Sequence, residues 1–378
     1  MPGFELIGKE EKQAVMDLFD EGGVLFAHGF QNQRKHYHVR EFETLLCKKL
    51  QVEHALVVSS GSAAVKIALK TVGVRAGDEV ITQAFNFIAC VEAIHELGAI
   101  PIICNVDKSL NMDTEELERL ITSKTKAIMP VHMLGVPADV MSVMTIARKY
   151  SIPVVEDNCE ALGSMVGQEY AGTVCDIGVL SFDFGKTITS GEGGALLTNS
   201  KSYDKFAREY HDHGHECNPD LPRGRDTRTI QGFNYRMSEI QAVIGKVQFS
   251  RLEQIIEQSK LRYMCLDKAI QSEDSRRIID GVSPNYDTFI FYEKNKKIRQ
   301  RIIALLNDES FGTKNLPDAV DWHSAHRWNH LLNEQVVKHI LKSDQTLTSA
   351  IAIPILLSRT VGDYQYIAEK ISELKYRT

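Results

Sequence analysis

The chain has 378 residues, of which 43% are hydrophobic and 25% charged, and its formal net charge is −6. This length fits one large domain plus a smaller one. The slightly acidic composition argues against a nucleic-acid surface, since phosphate backbones call for a basic patch. No apolar stretch reaches the roughly 18–20 residues of a membrane span, and the charged N-terminal segment lacks the apolar region of a signal peptide. We expect a soluble cytoplasmic protein that binds neither nucleic acid nor membrane.

From residue 55 to 200, short apolar runs alternate with amphipathic stretches. The runs lack strict polar alternation, as expected for strands whose two faces are both covered. Alternating strands and helices predict an α/β fold with a mostly parallel sheet between two helical layers. The predicted strands cover residues 55–60, 79–84, 100–106, 127–132, 153–157, 178–182 and 195–198.

Helical patterns lie between several of these runs and continue after the last one. One of them begins with Asp113 and Glu116, which have the spacing of a capping box. An apolar run at 288–293 and a helical pattern at 297–307 then predict a smaller α+β unit. We predict a large domain with an N-terminal arm over residues 1–250 and a small C-terminal domain over residues 251–378. The predicted helices cover residues 62–71, 88–97, 115–121, 140–150, 237–247 and 252–270.

Three segments at the ends of predicted strands carry groups suited to chemistry, and ligands bind at this edge of such sheets. Residues 59–64 read SSGSAA, and free N–H groups with hydroxyls at a helix start suit a phosphate, although small residues also serve close packing. Asp157 ends an apolar strand, where a carboxylate could keep a pyridinium nitrogen protonated or merely cap a helix. Lys186 follows another strand, and a desolvated lysine has a lowered pKa and becomes a nucleophile, whereas most lysines are solvated.

The order and spacing of these segments make the chain recognisable. The motifs are SSGSAAV, AGDEV, FNFIACVEAI, VVEDNCEALGS, SFDFGKTITSGEGG and GFNYRMSEIQAVIG. They resemble the DegT/StrS family of nucleotide-sugar aminotransferases, which are pyridoxal 5′-phosphate (PLP) enzymes of fold type I. The resemblance covers about residues 8–249 and then weakens. It implies a PLP-dependent aminotransferase with a seven-stranded sheet in its large domain.

The resemblance also implies roles for single residues in catalysis. Lys186 would bind PLP as a Schiff base and then move a proton, Asp157 would pair with the ring nitrogen, and Phe87 would stack on the ring. Many members carry His or Gln where this chain has Glu160, beside the phenolic oxygen of PLP. A carboxylate donates no hydrogen bond there unless it is protonated, so Glu160 is either protonated or points elsewhere.

Further residues would bind the cofactor phosphate. The resemblance assigns Gly61, Ser62 and Ser181 to this role, together with Asn234 from the other subunit. The active site would therefore be shared across a homodimer, with small-molecule sugar and amino-acid substrates as the other partners.

The segment HDHGH at residues 211–215 allows a metal interpretation, because alternate histidines would share one face of a strand. The seven cysteines form no C-x-x-C pair, and no further cluster adjoins this segment, so we expect no metal. We predict a substrate-contacting loop instead, because arginines hold carboxylates bidentately. The predicted substrate residues are His213, His215, Arg223, Arg225, Arg228 and His323.

This loop and the segment at 322–330 resemble the branch of the family that aminates 8-oxo-3-deoxy-manno-octulosonate, a free anionic sugar. We therefore expect a keto or aldehyde sugar as acceptor, glutamate as donor, and a role in lipopolysaccharide or other surface-glycan synthesis. Three alternatives stay open. They are a nucleotide-sugar aminotransferase, a PLP-dependent dehydratase or cyclase, and a non-catalytic PLP-binding regulator.

Overall fold

The computed structural model describes residues 2–218, 220–270 and 273–376. Its elements follow the predicted alternation of strands and helices. The strands are β1 (His54–Val58), β2 (Glu79–Gln83), β3 (Ile100–Cys104), β4 (Thr125–Ile128), β5 (Val155–Asp157), β6 (Met165–Val166), β7 (Glu169–Tyr170), β8 (Ile177–Ser181), β9 (Gly194–Thr198), β10 (Val282–Ser283), β11 (Thr288–Tyr292) and β12 (Ala350–Pro354). The helices are α1 (Pro2–Glu5), α2 (Lys9–Asp20), α3 (His38–Leu50), α4 (Gly61–Thr71), α5 (Ala89–Glu96), α6 (Thr114–Leu120), α7 (Val140–Lys149), α8 (Lys201–His211), α9 (Glu239–Ser250), α10 (Leu252–Ala269), α11 (Lys296–Asp308), α12 (Val320–His323), α13 (Glu334–His339), α14 (Leu341–Ser349) and α15 (Val361–Tyr376).

Seven strands form the central sheet in the order β3, β2, β4, β5, β8, β9, β1. Parallel bridges from Ile128 to Val154 and from Val131 to Asp157 join β4 to β5. Neighbouring strands run parallel except at β9, which is antiparallel to both β8 and β1. The predicted seven-stranded, mostly parallel sheet is confirmed. The strand predicted at 127–132 is shorter than expected, because β4 ends at Ile128 and beyond it only the bridge at Val131 continues the pairing.

Both faces of the sheet are covered, as its continuous apolar runs predicted. Along β1, Leu56 and Val58 pack into the hydrophobic cluster that includes α4. Ala55 and Val57 pack into a second cluster around Phe42 of α3. Successive side chains of a strand point to opposite faces, so α3 and α4 lie on opposite sides of the sheet. The three-layer αβα arrangement is therefore confirmed.

Helix α6 begins close to its predicted start, but the capping box does not form. Asp113 accepts a hydrogen bond from the N–H of Glu115 at 3.1 Å. Glu116 accepts instead from the N–H of Asn105 at 2.7 Å, while the N–H of Asp113 already donates to the carbonyl of Asn105. The Glu116 carboxylate thus ties α6 to the loop after β3.

The C-terminal third forms its own cluster and also returns to the large domain. Strands β11 and β12 pair antiparallel and pack with α10, α11 and α15 around Phe289 and Tyr364. The predicted strand 288–293 and helix 297–307 correspond to β11 and α11. Between α11 and β12, Ala325 and Trp328 pack against Ile88 at the start of α5. The domain boundary near residue 250 stays a prediction, because residues on both sides of it share this cluster.

Candidate active site

A cavity of about 410 Å³ opens where β1, β5 and β8 end. Ligands bind at this edge of parallel sheets. The fold brings together there eight residues that the sequence singled out from distant segments. They are Gly61, Ser62, Phe87, Asp157, Glu160, Ser181, Lys186 and His323.

Lys186 enters the cavity from the loop after β8. The N–H groups of Gly185 and Lys186 both donate to Asp183, at 2.9 and 3.0 Å. The Lys186 amine lies 3.3 Å from Oε1 of Glu160. Burial is the largest single effect on the pKa of Lys186 and acts to lower it, but the charge and hydrogen bond of Glu160, together with further neighbours, outweigh it and the pKa is raised. The lowered pKa expected from desolvation is therefore wrong here, because the expectation left out the facing carboxylate.

Glu160 is a carboxylate pointing at this amine. Burial acts to raise the pKa of Glu160, but the charges of Lys186, His323 and Lys314, with a hydrogen bond from the N–H of Leu134, lower it to about 2. The sequence left open whether this side chain is protonated or points elsewhere. It is ionised in this arrangement, and it lines the cavity.

Asp157 ends β5 and lines the same cavity with only 2% of its surface exposed. Its Oδ1 accepts the N–H of Cys159 at 3.0 Å, and its Oδ2 accepts the thiol of Cys90 at 3.1 Å. The neighbouring Glu156 is buried and pairs with His132 at 2.8 Å. Asp157, and not Glu156, is therefore the strand acid that faces the cavity.

Helix α4 directs its N-terminus at the cavity. The Ser60 hydroxyl caps it by accepting the N–H of Ala63 at 3.1 Å. The N–H groups of Gly61 and Ser62 begin the helix, where no intrahelical acceptor exists. A Cβ at Gly61 would lie 2.8 Å from Cβ and 2.9 Å from Oγ of Ser181. Only glycine permits this approach, which places the Ser181 hydroxyl beside free helix N–H groups in a compact anion site.

Phe87 and His323 form another wall of the cavity. Their ring centroids are 5.4 Å apart, with the planes inclined by 44°. Nδ1 of His323 bonds to the carbonyl of Ala319 at 2.8 Å, and Nε2 lies 3.9 Å from Oε1 of Glu160. Burial lowers the pKa of His323, with Glu160 opposing this shift. Phe87 is 41% exposed and offers an aromatic face to a ligand.

The chemical types of these side chains match the groups of PLP that they would bind. The cavity holds the amine of Lys186 for a covalent link, an anchored acid for a ring nitrogen, an aromatic face, and an anion cradle that a Cβ at Gly61 would fill. A model of the DegT/DnrJ/EryC1/StrS aminotransferase family matches residues 9–372. The chain belongs to this family. It is thus a member of a family of PLP-dependent aminotransferases, and the resemblance inferred from its motifs is confirmed.

Two curated relatives illustrate the range of the family. The chain is 37% identical over 256 residues to GDP-perosamine synthase from Escherichia coli O157:H7, which covers 68% of this chain and 66% of the relative. It is 30% identical over 407 residues to the lipopolysaccharide biosynthesis protein RfbH from Salmonella typhimurium, covering 98% and 91%. Matches to three perosamine synthases span 57% to 66% of their length, less than two thirds.

A solved structure shows the same fold along nearly the whole chain. The putative sugar aminotransferase Spr1654 from Streptococcus pneumoniae, in its PLP form, superposes with a TM-score of 0.83 at 21% identity, covering 98% of this chain and 97% of that one. The expected PLP fold type I is confirmed. Among residues 2–218, 220–270 and 273–376, no helix combines the length and apolar character needed to cross a membrane.

Asn234 and the predicted substrate loop at 211–228 lie outside this cavity in the part of the chain that the structure describes. Asn234 is exposed, and its Oδ1 accepts the N–H of Arg236 at 3.3 Å. Pro219 of the loop lies outside the described residues. Of the predicted substrate residues in the loop, His213, Arg225 and Arg228 are exposed.

Arg223 differs from the other loop arginines because it is tied to a buried acid. Its Nη2 lies 2.6 Å from Oδ1 of Asp212, whose side chain is completely buried. Arg236 pairs with the same oxygen, and His28 approaches the other one at 3.4 Å. Asp212 thus joins the loop to the N-terminal segment, and Arg223 belongs to this charge cluster.

The three histidines of the HDHGH segment do not converge on one point. His211 is buried and bonds to the carbonyl of Arg208, His213 is exposed, and His215 lies 3.4 Å from Asp226. The shared strand face assumed by the metal interpretation is absent, because His211 ends helix α8 and His213 adopts a positive φ of 55°.

Cys90 and Lys314 are among the cavity residues that the sequence did not predict. Cys90 belongs to the FNFIAC motif, three positions after Phe87, so the same motif carried the signal. Lys314 lines the cavity with its amine 3.0 Å from Oδ2 of Asp287. It lies in the C-terminal third, where the resemblance weakens and no motif marked it.

Proposed function

We propose that this protein is a PLP-dependent aminotransferase that aminates a keto sugar carried by a nucleotide, with glutamate as the donor. The observation that carries this proposal is the convergence of Lys186, Asp157 and the Gly61–Ser181 cradle in one cavity. The similarity to GDP-perosamine synthases supports the nucleotide-linked acceptor. The product would enter a surface glycan, and the cytoplasmic location stays a prediction.

Each side chain has a part that suits its chemistry. When bound, PLP supplies an electron-withdrawing ring that stabilises charge at the carbon next to the transferred nitrogen. Lys186 would hold the cofactor covalently and move the proton at that carbon. Asp157 would keep the ring nitrogen protonated, and Phe87 would cover one ring face. The phosphate would bind at Gly61, Ser62 and Ser181.

A free anionic sugar, 8-oxo-3-deoxy-manno-octulosonate, is the second candidate acceptor. Lys314 lines the cavity with its amine beside Asp287, and Arg225 and Arg228 are exposed in the loop outside the cavity. These cations favour an acceptor that carries a carboxylate. The perosamine synthases favour the nucleotide-linked sugar instead, which makes that sugar our first choice.

The reaction can be tested with purified protein, PLP and glutamate. We expect 2-oxoglutarate and an aminated sugar, detected by mass spectrometry, with a nucleotide-linked keto sugar and less product with the octulosonate aldehyde. Lys186→Ala should retain bound PLP yet form no product. Loss of water from the sugar without gain of nitrogen would favour the dehydratase alternative, and unimpaired turnover by Lys186→Ala would refute the proposal.

We also propose that the active site is completed by a second copy of the chain. Asn234 is exposed and lies outside the cavity of its own chain, and apolar side chains such as Phe184 and Trp322 are more than half exposed, at 54% and 59%. A second copy seated on these side chains would remove their apolar surface from water.

Mixing two inactive variants tests this arrangement directly. Lys186→Ala supplies an intact Asn234, and Asn234→Ala supplies an intact Lys186. If the site is shared, mixed dimers should recover part of the parental activity. If the mixture stays as inactive as its components while light scattering shows exchanged dimers, the site is not shared.

A further inference from the structure

We propose that Glu160 is the residue that holds the nitrogen of Lys186 in its protonated form and directs it into the cavity. This inference rests on the proposed function, since it assigns a task to a second side chain at the same reacting atom. Oε1 of Glu160 lies 3.3 Å from Nζ of Lys186. Both side chains are largely buried, with 8% and 18% of their surface exposed, so solvent screens the attraction only weakly.

The carboxylate is held from its other side by a strained turn. Oε2 of Glu160 accepts the N–H of Leu134 at 3.3 Å, and the backbone carbonyl of Glu160 accepts the N–H of Gly135 at 3.0 Å. Leu134 is buried and left-handed, with φ 48° and ψ 51°, a conformation that is uncommon for residues other than glycine. Such a backbone persists only where its surroundings impose it.

Arg276 is the group that fixes this turn. Its guanidinium is buried and donates to the carbonyls of Met133 and Leu134, at 2.8 and 3.3 Å. The Leu134 N–H is thereby kept pointing at Glu160. The position of the carboxylate is therefore set by the backbone, and not by Lys186 alone.

The surrounding charges favour an anion at Glu160 and a cation at Lys186. His323 lies 3.9 Å from Oε1, and the charge of Lys314 also acts on Glu160. The charge of Asp183 acts on Lys186 in the same direction as Glu160. Burial opposes the charged form of Lys186, yet the pKa of Lys186 is raised.

The effect that Glu160 would have when PLP is bound follows from its charge. When Lys186 is linked to the cofactor, its nitrogen can carry one proton, and the carbon beside a protonated nitrogen accepts attack by an incoming amine more readily. The Glu160 carboxylate, which lies 3.3 Å from the free Lys186 amine, would stabilise that positive charge. Glu160 would therefore keep the linkage in its reactive form to higher pH than the cofactor alone would.

The test is a pH titration of the cofactor absorbance, because the protonated and unprotonated linkages absorb at different wavelengths. Glu160→Gln keeps the shape and an acceptor for Leu134 but removes the charge. We expect its midpoint to fall by about 1–3 pH units relative to the parent, the size expected for loss of one close opposite charge. Glu160→Asp keeps the carboxylate but moves it away from Lys186, so its midpoint should lie between those of the parent and Glu160→Gln.

Glu192→Gln is the matched control, because Glu192 also lines the cavity but is exposed. Its midpoint should stay within a few tenths of a pH unit of the parent, since screened surface charges interact weakly. A parental midpoint in both Glu160 variants, or an equal fall in the Glu192 variant, would overturn the proposal.

A second measurement uses the protein without PLP. The rate at which an acylating reagent labels Lys186, followed by peptide mass spectrometry, reports the unprotonated fraction of the amine. At neutral pH, Glu160→Gln should be labelled about tenfold faster for each unit by which the pKa of Lys186 falls. An unchanged rate contradicts the role of Glu160, whereas undiminished transamination by Lys186→Ala would contradict the proposed function itself.

Discussion

The thiol of Cys90 donates to Oδ2 of Asp157 at 3.1 Å, while the N–H of Cys159 donates to Oδ1 at 3.0 Å. Burial and the Asp157 charge raise the pKa of Cys90 well above its ordinary value. The thiol therefore keeps its proton and remains a donor. Both oxygens of Asp157 are held in place before any cofactor binds, and such pre-positioning favours catalysis.

Asp157→Asn should lower turnover on the order of hundreds-fold or more, because the ring nitrogen loses the anion that keeps it protonated. Thermal unfolding should change little, since the amide fits the same space. Cys90→Ser is the matched control, because it keeps a donor to the same oxygen. Near-parental turnover of Asp157→Asn would mean that another acid serves the nitrogen, and Glu160 would be the first to examine.

Gly61→Ala should weaken PLP binding by about tenfold or more, which corresponds to about 1.4 kcal/mol. The new Cβ would lie 2.8 Å from Cβ of Ser181, so the serine or the start of α4 must move. Equilibrium dialysis against PLP measures the change. Gly362→Ala, whose Cβ meets only Oγ1 of Thr360 at 3.6 Å, should bind like the parent. Equal affinities in all three proteins would show that the close contact does not shape the phosphate site.

Gly245→Ala should lower the free energy of unfolding by about 1–2 kcal/mol, although alanine is favoured over glycine within a helix by about 1 kcal/mol. The Cβ would lie 2.6 Å from Cε1 of Phe42, whose ring is completely buried between α3 and the sheet. Urea unfolding gives the difference. The same change at Gly362 in α15 meets no such contact and should be neutral or stabilising. A stabilised Gly245→Ala would mean that the Phe42 ring shifts freely.

Stability should fall as the pH drops from about 6.5 to about 4. Burial lowers the pKa of His211 to about 4 and does the same for His28. In the unfolded chain both histidines bind a proton near pH 6.5, whereas in the folded chain they bind it only near pH 4. Lowering the pH through this window therefore favours unfolding. For His211, which is 6% exposed, the loss is on the order of 3 kcal/mol. Urea unfolding at pH 7 and 4.5 measures it, and His211→Gln should flatten the slope.

The loop arginines should separate into two groups. Arg223→Ala should lower the melting temperature, because it leaves Asp212 buried with one partner fewer. Arg225→Ala and Arg228→Ala should preserve stability and raise the KM for the sugar acceptor without weakening PLP binding. If the Arg225 and Arg228 variants have the parental KM for every acceptor tried, the loop does not bind the sugar.

The sequence predicted the sheet well because its strands are buried on both faces, which leaves apolar runs that are visible without any contact information. It also predicted Lys186, Asp157 and Gly61 as site residues, since each lies at the end of such a run or a few residues beyond it. The ionisation of Glu160 could not be predicted from the sequence, because it depends on the amine of Lys186, which comes from another strand end to within 3.3 Å of the carboxylate. The packing of Trp328 against the large domain was not predicted, for a related reason. No local pattern distinguishes an apolar residue that packs within its own domain from one that packs across the chain.

Strand β9, which runs antiparallel to its neighbours in the central sheet, has a consequence for the segment that carries the active-site lysine. Because β9 runs back beside β8, the segment from Phe182 to Gly193 is a closed hairpin rather than a long crossover. Its stem is fastened by hydrogen bonds from the N–H of Phe182 to the carbonyl of Gly193 and from the N–H of Ser190 to the carbonyl of Phe182. The amides of this stem should exchange with deuterium slowly, on the timescale of the central sheet. Residues inserted between Lys186 and Ser190 would have to bulge at the cavity itself, so length variation here should be tolerated far less than in the exposed loop at 220–228.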